Sequence, residues 1–364
     1  MTTLKIQKEN LLRGLSSVSK AVAQKGIVPI LSNILLESED GRLKLGATDL
    51  EISISCLVDV EEIEEFSTTV PARIFMELVS AIQEEELTFE YNPEKLVLKI
   101  ATEKSNNNVR CLNSDDFPDM PVMPEETTME MPSETFVEIV QRSVFSTATS
   151  DASQLMYKGV YFEAVDGELA VVSTDGFRFS LETMRVVSKD FKVIVPANYL
   201  NEFSKVANNK VEIAILENSI ILRSGDVTAG ILSISGKFPN IREKIKVFEP
   251  KDNWVKVSAK TSEMYKAVKH ASIFCPEEKR TLTLDFKLIT EIYAQADQIG
   301  DSLVSVAMEC NGESIVHLNA DFLMGVLSVA PENVKFYTSG ENSPVVVKFD
   351  SEESYTHVMM PIKG

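Results

Sequence analysis

Apolar residues along this chain follow two rhythms, and the same succession of rhythms comes round three times. The first round opens with a strand pattern at Leu4-Lys-Ile6 and a helical stripe of Leu11, Leu12, Leu15 and Val18 between Lys8 and Ala23. A Gly/Pro break at 24–29 leads to strand patterns at 34–36, 43–45 and 50–56, with a turn at Asp40-Gly41. A second helix is predicted from Val70-Pro-Ala, with Ile74, Leu78 and Val79 as its stripe, and strands at 87–91 and 96–100 follow. Asp115-Asp-Phe-Pro-Asp-Met120 closes the unit.

The second round carries the same landmarks in the same order. Phe136, Val137 and Val140 stand where Leu11, Leu12 and Leu15 stood, and Asp166 to Asp175 repeats Asp40 to Asp49 at an offset of 126. Val195-Pro-Ala repeats Val70-Pro-Ala, with Tyr199, Phe203 and Val206 as its stripe, and Gly236 to Ile241 repeats the Phe-Pro closure. Pro71 and Pro196 suit the first turn of a helix, where a missing N–H costs nothing. The third round is more diverged: Met264, Tyr265 and Val268 mark its first helix and Leu318-Asn-Ala320 opens its second. Spacing at 70, 195 and 318 predicts one domain copied three times. The expected fold is α+β, with domains at 1–122, 127–247 and 253–364. Each would pack two helices on two antiparallel sheets, and the linkers are the polar stretches between them.

Composition changes this picture little. The 364 residues are 44% hydrophobic and 25% charged, ordinary for a globular protein, and no apolar run approaches a membrane span. Cys56, Cys111, Cys275 and Cys310 form no CxxC pair, and the first residues lack an export-signal pattern, so a cytoplasmic protein with reduced thiols is expected.

Candidate chemistry is sparse. His270, His317 and His357 lie far apart, and no HExxH, GxSxG or CxxC motif occurs. Gly225 and Gly230 have phosphate-loop spacing, but Ile231-Leu232 replaces the required Lys-Ser/Thr. Asp49 and Glu51 share a strand face and read either as a metal-binding pair or, with far greater weight, as a solvated face. No catalytic residue, metal or cofactor is assigned.

Charge is more informative. The net charge of −19 argues against nucleic acid unless the charge is segregated. The six predicted helices, at 8–23, 72–84, 133–147, 196–208, 260–274 and 320–330, hold nine basic and eight acidic residues, so the acid excess lies outside them. A helix-lined surface would be mildly positive within a negative body, suited to loose phosphate contact; ordinary surface helices explain the count equally well. The tail, Val358-Met-Met-Pro-Ile362, reads as a last strand or as pocket lining, and alternation allows both.

Together these residues resemble a known family. The threefold repeat, Pro-Ile-Leu-Ser-Asn at 29–33, Ala-Thr-Asp-Leu-Glu at 47–51, Thr-Val-Pro-Ala-Arg at 69–73, Ser-Thr-Asp-Gly-Phe-Arg at 173–178, Phe-Pro-Asn at 238–240 and the Val-Met-Met-Pro-Ile end are similar to the bacterial DNA polymerase III beta subunit, the replicative sliding clamp. The resemblance covers the whole chain. It implies the DNA clamp fold and a head-to-tail homodimer closing a ring around double-stranded DNA without reading its sequence. The implied partners are the polymerase III alpha subunit, the clamp loader and other proteins with a clamp-binding motif; no membrane is involved. Such a protein tethers a polymerase and confers processivity in DNA replication without catalysing anything.

Carried over by position, the resemblance implies a peptide pocket between the second and third domains. Its lining would be Tyr157, Thr174, Gly176, Phe177, Arg178, Phe179, Pro239, Pro344, Val358, Met360, Pro361 and Ile362. Tyr157, Phe177 and Phe179 depart from the usual Leu, His and Leu, so a more aromatic pocket is expected. Lys25 is the implied DNA contact, with Arg13, Lys20, Arg73, Arg142, Lys205, Lys266 and Lys269 as further DNA-facing cations. Ile273 and Phe274 would meet a surface near Val109 and Cys111 across the dimer seam. The competing readings are an acidic protein-interaction scaffold without DNA and, behind it, an enzyme of unknown type.

Overall fold

The structure is a computed structural model and describes residues 2–23, 28–349 and 352–362. The first repeat runs β1 (Thr2–Gln7), α1 (Lys8–Val18), β2 (Asn33–Glu39), β3 (Arg42–Thr48), β4 (Ile52–Val58), β5 (Glu62–Ile63), β6 (Ser67–Pro71), α2 (Ala72–Ala81), β7 (Glu86–Asn92), β8 (Val97–Ala101) and β9 (Asn106–Arg110). The second runs β10 (Met129–Pro132), α3 (Ser133–Val144), β11 (Gly159–Val165), β12 (Glu168–Thr174), β13 (Arg178–Arg185), β14 (Phe191–Pro196), α4 (Ala197–Ser204), β15 (Lys210–Ile215), β16 (Ser219–Ser224) and β17 (Val227–Leu232), then a short α5 (Ile241–Lys244) that the sequence pattern did not predict. The third comprises β18 (Val255–Lys260), α6 (Thr261–Ala271), β19 (Thr281–Phe286), β20 (Ile289–Ala296), β21 (Gly300–Ala307), β22 (Glu309–Cys310), β23 (Ser314–Asn319), α7 (Ala320–Val329), β24 (Asn333–Thr338), β25 (Val345–Phe349) and β26 (Glu352–Met359).

Each repeat contributes two four-stranded antiparallel groups: β1-β7-β8-β9 with β4-β3-β2-β6, β10-β15-β16-β17 with β14-β11-β12-β13, and β18-β24-β25-β26 with β21-β20-β19-β23. The groups do not stay within their repeats. β17 pairs with β4 from Val227↔Cys56 to Ile231↔Ile52, making an eight-stranded sheet from two repeats. β13 pairs with β26 from Arg178↔Met359 to Glu182↔Tyr355, making a nine-stranded one. By contact the chain forms two compact units, Met1–Val137 with Glu202–Ser233 and Glu138–Asn201 with Ile234–Gly364. The middle repeat is thus shared between them.

The helices bury one stripe each, and the buried register differs in part from the predicted one. In α2 the buried residues are Ala72, Phe75 and Val79, while Ile74 is exposed and Leu78 only half-buried. Phe75 turns the stripe by meeting Phe89 of β7, ring centroids 5.9 Å apart and edge-on; an aromatic ring at one position outweighs an aliphatic at the next. In α3, Ile139 is buried with Phe136 and Val140 where Val137 was expected, and Phe136 meets Phe203 of α4 at 5.8 Å. In α1, Leu11, Leu15 and Val18 are buried as predicted and Leu12 is half-buried. Gly14 lets this helix close on β3 and β4, since a Cβ there would stand 2.5 Å from Val58 and 2.7 Å from Leu45.

Candidate peptide site and DNA-facing surfaces

A short Thr-Asp turn, present twice, builds one edge of the candidate peptide site. Thr174 Oγ1 accepts from the Gly176 N–H (3.0 Å) and donates to the Arg178 carbonyl (2.7 Å). Asp175 Oδ1 accepts from the N–H groups of Phe177 and Arg178 at 2.9 and 3.0 Å. In the first repeat Thr48 and Asp49 make the same bonds around Leu50. The central residue needs positive φ, which Gly176 adopts at 95° and Leu50 at 77°. Asp49 therefore shapes a turn, as short polar side chains do. Among the described residues no group of three or more His, Cys, Asp or Glu is arranged to hold a metal ion.

At this turn the tail of the chain joins the sheet. β26 runs to Met359, so the tail is a strand first; Val358 and Met359 are fully buried on opposite faces, Val358 with Phe179 and Met359 in the core of the third repeat. Beyond it the Met360 N–H donates to the Phe177 carbonyl at 2.9 Å, and the Ile362 N–H to the His317 carbonyl at 2.9 Å. Phe177 at 67% exposed and Met360 at 43% are the two open apolar side chains here. Phe179, Val346 and Val358 pack with Phe238 and Ile241 in one buried apolar cluster beneath them. Phe238 stacks on Tyr161 (4.9 Å, interplanar angle 6°) and takes the edge of Tyr157 at 6.4 Å. Pro239 and Pro344 are half-buried at the margin, as are Pro361 and Ile362.

Sequence reasoning missed Tyr161, Phe238 and Val346. Phe238 was within reach, since it precedes Pro239 in the copied Phe-Pro motif. Tyr161 is held by its hydroxyl, which donates to Glu163 at 3.2 Å; burial, then the Glu163 charge, pushes its pKa up to about 12.

Arg178 is committed to the interior. Its guanidinium lies 4.2 Å from the ring centre of Phe322 and 5.6 Å from that of Phe145, with Nε 3.0 Å from Asp175 Oδ2. Burial pulls its pKa below the ordinary arginine value, and the Asp175 charge opposes that shift. Beside it His357 is fully buried. Its Nδ1 stands 2.9 Å from Ser180 Oγ, and its Nε2 finds no partner among the described residues. Burial, then the Arg178 charge, holds this imidazole well below its usual pKa, hence neutral.

The helix cations divide. Arg13, Lys20, Arg73, Lys205, Lys266 and Lys269 are exposed, but Lys20 and Lys205 both lean on Glu202 (3.6 and 2.5 Å), and Arg73 stands 3.9 Å from Glu77. Lys25 lies outside the described residues. Arg142 needs correcting: it is 5% exposed, paired with Glu138 and Glu182 at 2.5 and 3.0 Å. Its guanidinium lies 5.2 Å from the ring centre of Phe349 and 5.7 Å from that of Tyr355. A charge so enclosed is an internal brace and has no reach to a phosphate. At the expected seam Ile273 is exposed and Phe274 half-buried. Val109 and Cys111 are buried within their own unit, and the exposed side chains of β9 are those of Asn106, Asn108 and Arg110.

Three repeats, each of two helices on two four-stranded sheets, with sheets running on from one repeat to the next, define the chain as a DNA clamp. Comparison with known proteins agrees. The DNA polymerase III beta subunit family matches by its N-terminal domain over residues 2–121, its central domain over 130–240 and its C-terminal domain over 246–363. The chain belongs to that family, whose members are sliding clamps with no catalytic site of their own. The beta sliding clamp of Escherichia coli K12 is 27% identical, with 98% of this chain and 99% of that protein covered. That of Bacillus subtilis is 23% identical, with 98% of each covered. The crystal structure of the Bacillus subtilis sliding clamp superposes with a TM-score of 0.90 at 22% identity, covering 100% of this chain and 99% of that one. A Pseudomonas aeruginosa clamp solved bound to griselimycin gives 0.91 at 24% identity, with both chains fully covered. No described helix is long and apolar enough to cross a membrane.

Proposed function

We propose that two copies of this chain close head to tail around duplex DNA in the cytoplasm and tether a replicative polymerase there. In this reading the three domains span 1–122, 127–247 and 253–364. The observation that carries it is the pair of strands left over by the repeat. β4, β13 and β21 are equivalent, as are β17, β26 and β9. β4–β17 and β13–β26 pair within the chain, while β9 and β21 each have a second edge with no strand partner among the described residues. Pairing β21 of one copy with β9 of the next would complete the series, and two such joints close a ring. Ile273 and Phe274 would lie at that seam, with Asn106, Asn108 and Arg110 more favourably exposed across it than Val109 and Cys111. Arg13, Lys20, Arg73, Lys205, Lys266 and Lys269 would face phosphate, and Lys25 with them.

Partner peptides occupy the cluster of Tyr157, Thr174, Gly176, Phe177, Phe179, Pro239, Pro344, Val358, Met360, Pro361 and Ile362, with Arg178 bracing it from behind. The test is retention on DNA. The dimer should stay on a nicked circle and be lost when the circle is linearised; equal loss from both templates would sink the reading. An acidic scaffold without DNA would bind partner peptide and ignore both templates.

A further inference from the structure

One face of the nine-stranded sheet carries the buried cluster beneath the candidate pocket and, beside it, a set of lysines from three strands. Phe179, Val358, Val346 and Tyr337 are successive cross-strand partners on β13, β26, β25 and β24, and their row ends on Lys256 of β18. The next row on that face runs Leu181, Thr356, Lys348, Lys335, Ser258. Side chains two apart on a strand share a face, so Lys348 stands beside Val346, Lys335 beside Tyr337, and Lys260 just past Ser258. The other face of these strands is core, with Val257, Phe336 and Val347 fully buried.

Lys335 lies directly opposite Lys348 on the neighbouring strand. Lys256 and Lys348 make no ion pair among the described residues. Among the described residues the acids lining this end of the sheet are Glu263, 3.9 Å from Lys260, and Glu309, whose residue faces Ser258 across the ladder. At this end of the sheet a groove of about 910 Å³ opens between Lys256, Lys260 and Lys335 and the exposed Leu288 and Ile289. In a chain of net charge −19 this is a local reversal of sign.

We propose that the lysine rows form the second half of the partner site, receiving an acidic stretch of a partner segment whose apolar anchors fill the adjoining pocket. The inference rests on reading the apolar cluster as that pocket. The two share one sheet face, with Phe248 and Trp254 packed against the buried cluster of Val346 and Val358 between them, and charge complementarity supports the inference. Three strand spacings separate Val358 from Lys256, about 15 Å, which about four or five extended residues span. The acids would therefore sit about that far from the anchors. A nucleic acid is disfavoured, because a long polyanion meets the acidic body around so small a patch while a short acidic peptide meets only the patch.

The experiment uses the full chain and fluorescent peptides sharing one Gln-, Leu- and Phe-containing core. One has a neutral Gly-Ser flank, and two carry Asp/Glu runs either adjoining the core or about four residues from it, on either side. The distant acidic run should tighten binding about fivefold at low salt, the gain fading as salt rises. Lys256→Glu with Lys348→Glu should abolish the gain and leave the neutral peptide unaffected. Neutral binding without any acidic gain would overturn this inference alone. Failure of the neutral peptide to bind would overturn the pocket reading and this inference with it. An acidic gain that survives in the double variant, or an oligonucleotide bound by the wild type and lost in that variant, would also overturn it.

Discussion

The main-chain N–H of Met360 donates to the carbonyl of Phe177, joining the end of the chain to a turn in the middle repeat. That bond sets two open apolar side chains side by side without using either of them. Phe177→Ala and Met360→Ala should each weaken partner-peptide binding by about 1–2 kcal/mol, since exposed anchors gain most when a ligand covers them. Thermal unfolding should not move, because neither side chain is in the core. Fluorescence anisotropy beside a melting curve checks both halves. Unchanged affinity in both variants would remove Phe177 and Met360 from the site.

Arg178 sits between two rings and beside Asp175, so its planar group cannot be traded for an ammonium. Arg178→Lys should cost roughly 1–3 kcal/mol, through lost stacking as well as altered hydrogen bonding. Denaturant titration measures it. Gly325→Ala should act on the same place, since a Cβ there would stand 2.8 Å from Phe145 and 3.3 Å from Arg178.

His357 links stability to pH. Its folded pKa lies well below the ordinary 6.5, so the unfolded chain binds the extra proton and stability falls as pH drops below about 6.5. The loss from this one group approaches about 1.4 kcal/mol per pH unit until the folded pKa is reached. His357→Gln should flatten the profile between pH 6.5 and the range where carboxylates titrate. A slope unchanged in that variant would mean that another group is responsible.

The correction at Arg142 separates two kinds of cation. Lys266→Gln with Lys269→Gln should reduce the salt dependence of retention on nicked circles and leave the fold intact, because each lost phosphate contact lowers the slope by about one. Arg142→Ala should cost about 3–5 kcal/mol by removing the cation paired with the buried Glu182, and at temperatures where the variant stays folded its salt slope should match wild type. Retention assays at several salt concentrations distinguish the two.

Much of the fold was legible because repetition multiplies a weak signal. No single stripe marks a clamp, but the copied Thr-Asp turn and the copied Val-Pro-Ala helix start identify equivalent places in successive domains. Pairing between strands was not legible, since period two assigns the face of a residue and says nothing about which strand lies alongside. That is why the sharing of the middle repeat between two sheets could not be foreseen, nor the lysine rows, whose members lie as far apart in the chain as Lys256 and Lys348. Arg142 misled for a related reason. Its helix looks amphipathic in isolation, and the rings that enclose it belong to the third repeat. In the candidate site, the tail and Pro239 were named from sequence, while Phe238 was missed and its stacking on Tyr161 depended on a fold no local pattern encodes.

The ladders β17–β4 and β13–β26 put the copied segment and the cooperative sheet out of phase. A piece cut at residues 127 and 247 would carry off half of each of two sheets and bare an edge strand, β17 or β13, on either side. Such a fragment would be sticky, prone to swap strands or aggregate, although its sequence looks self-contained. What was duplicated in this chain is a stretch of gene; what folds is the splice between neighbouring copies.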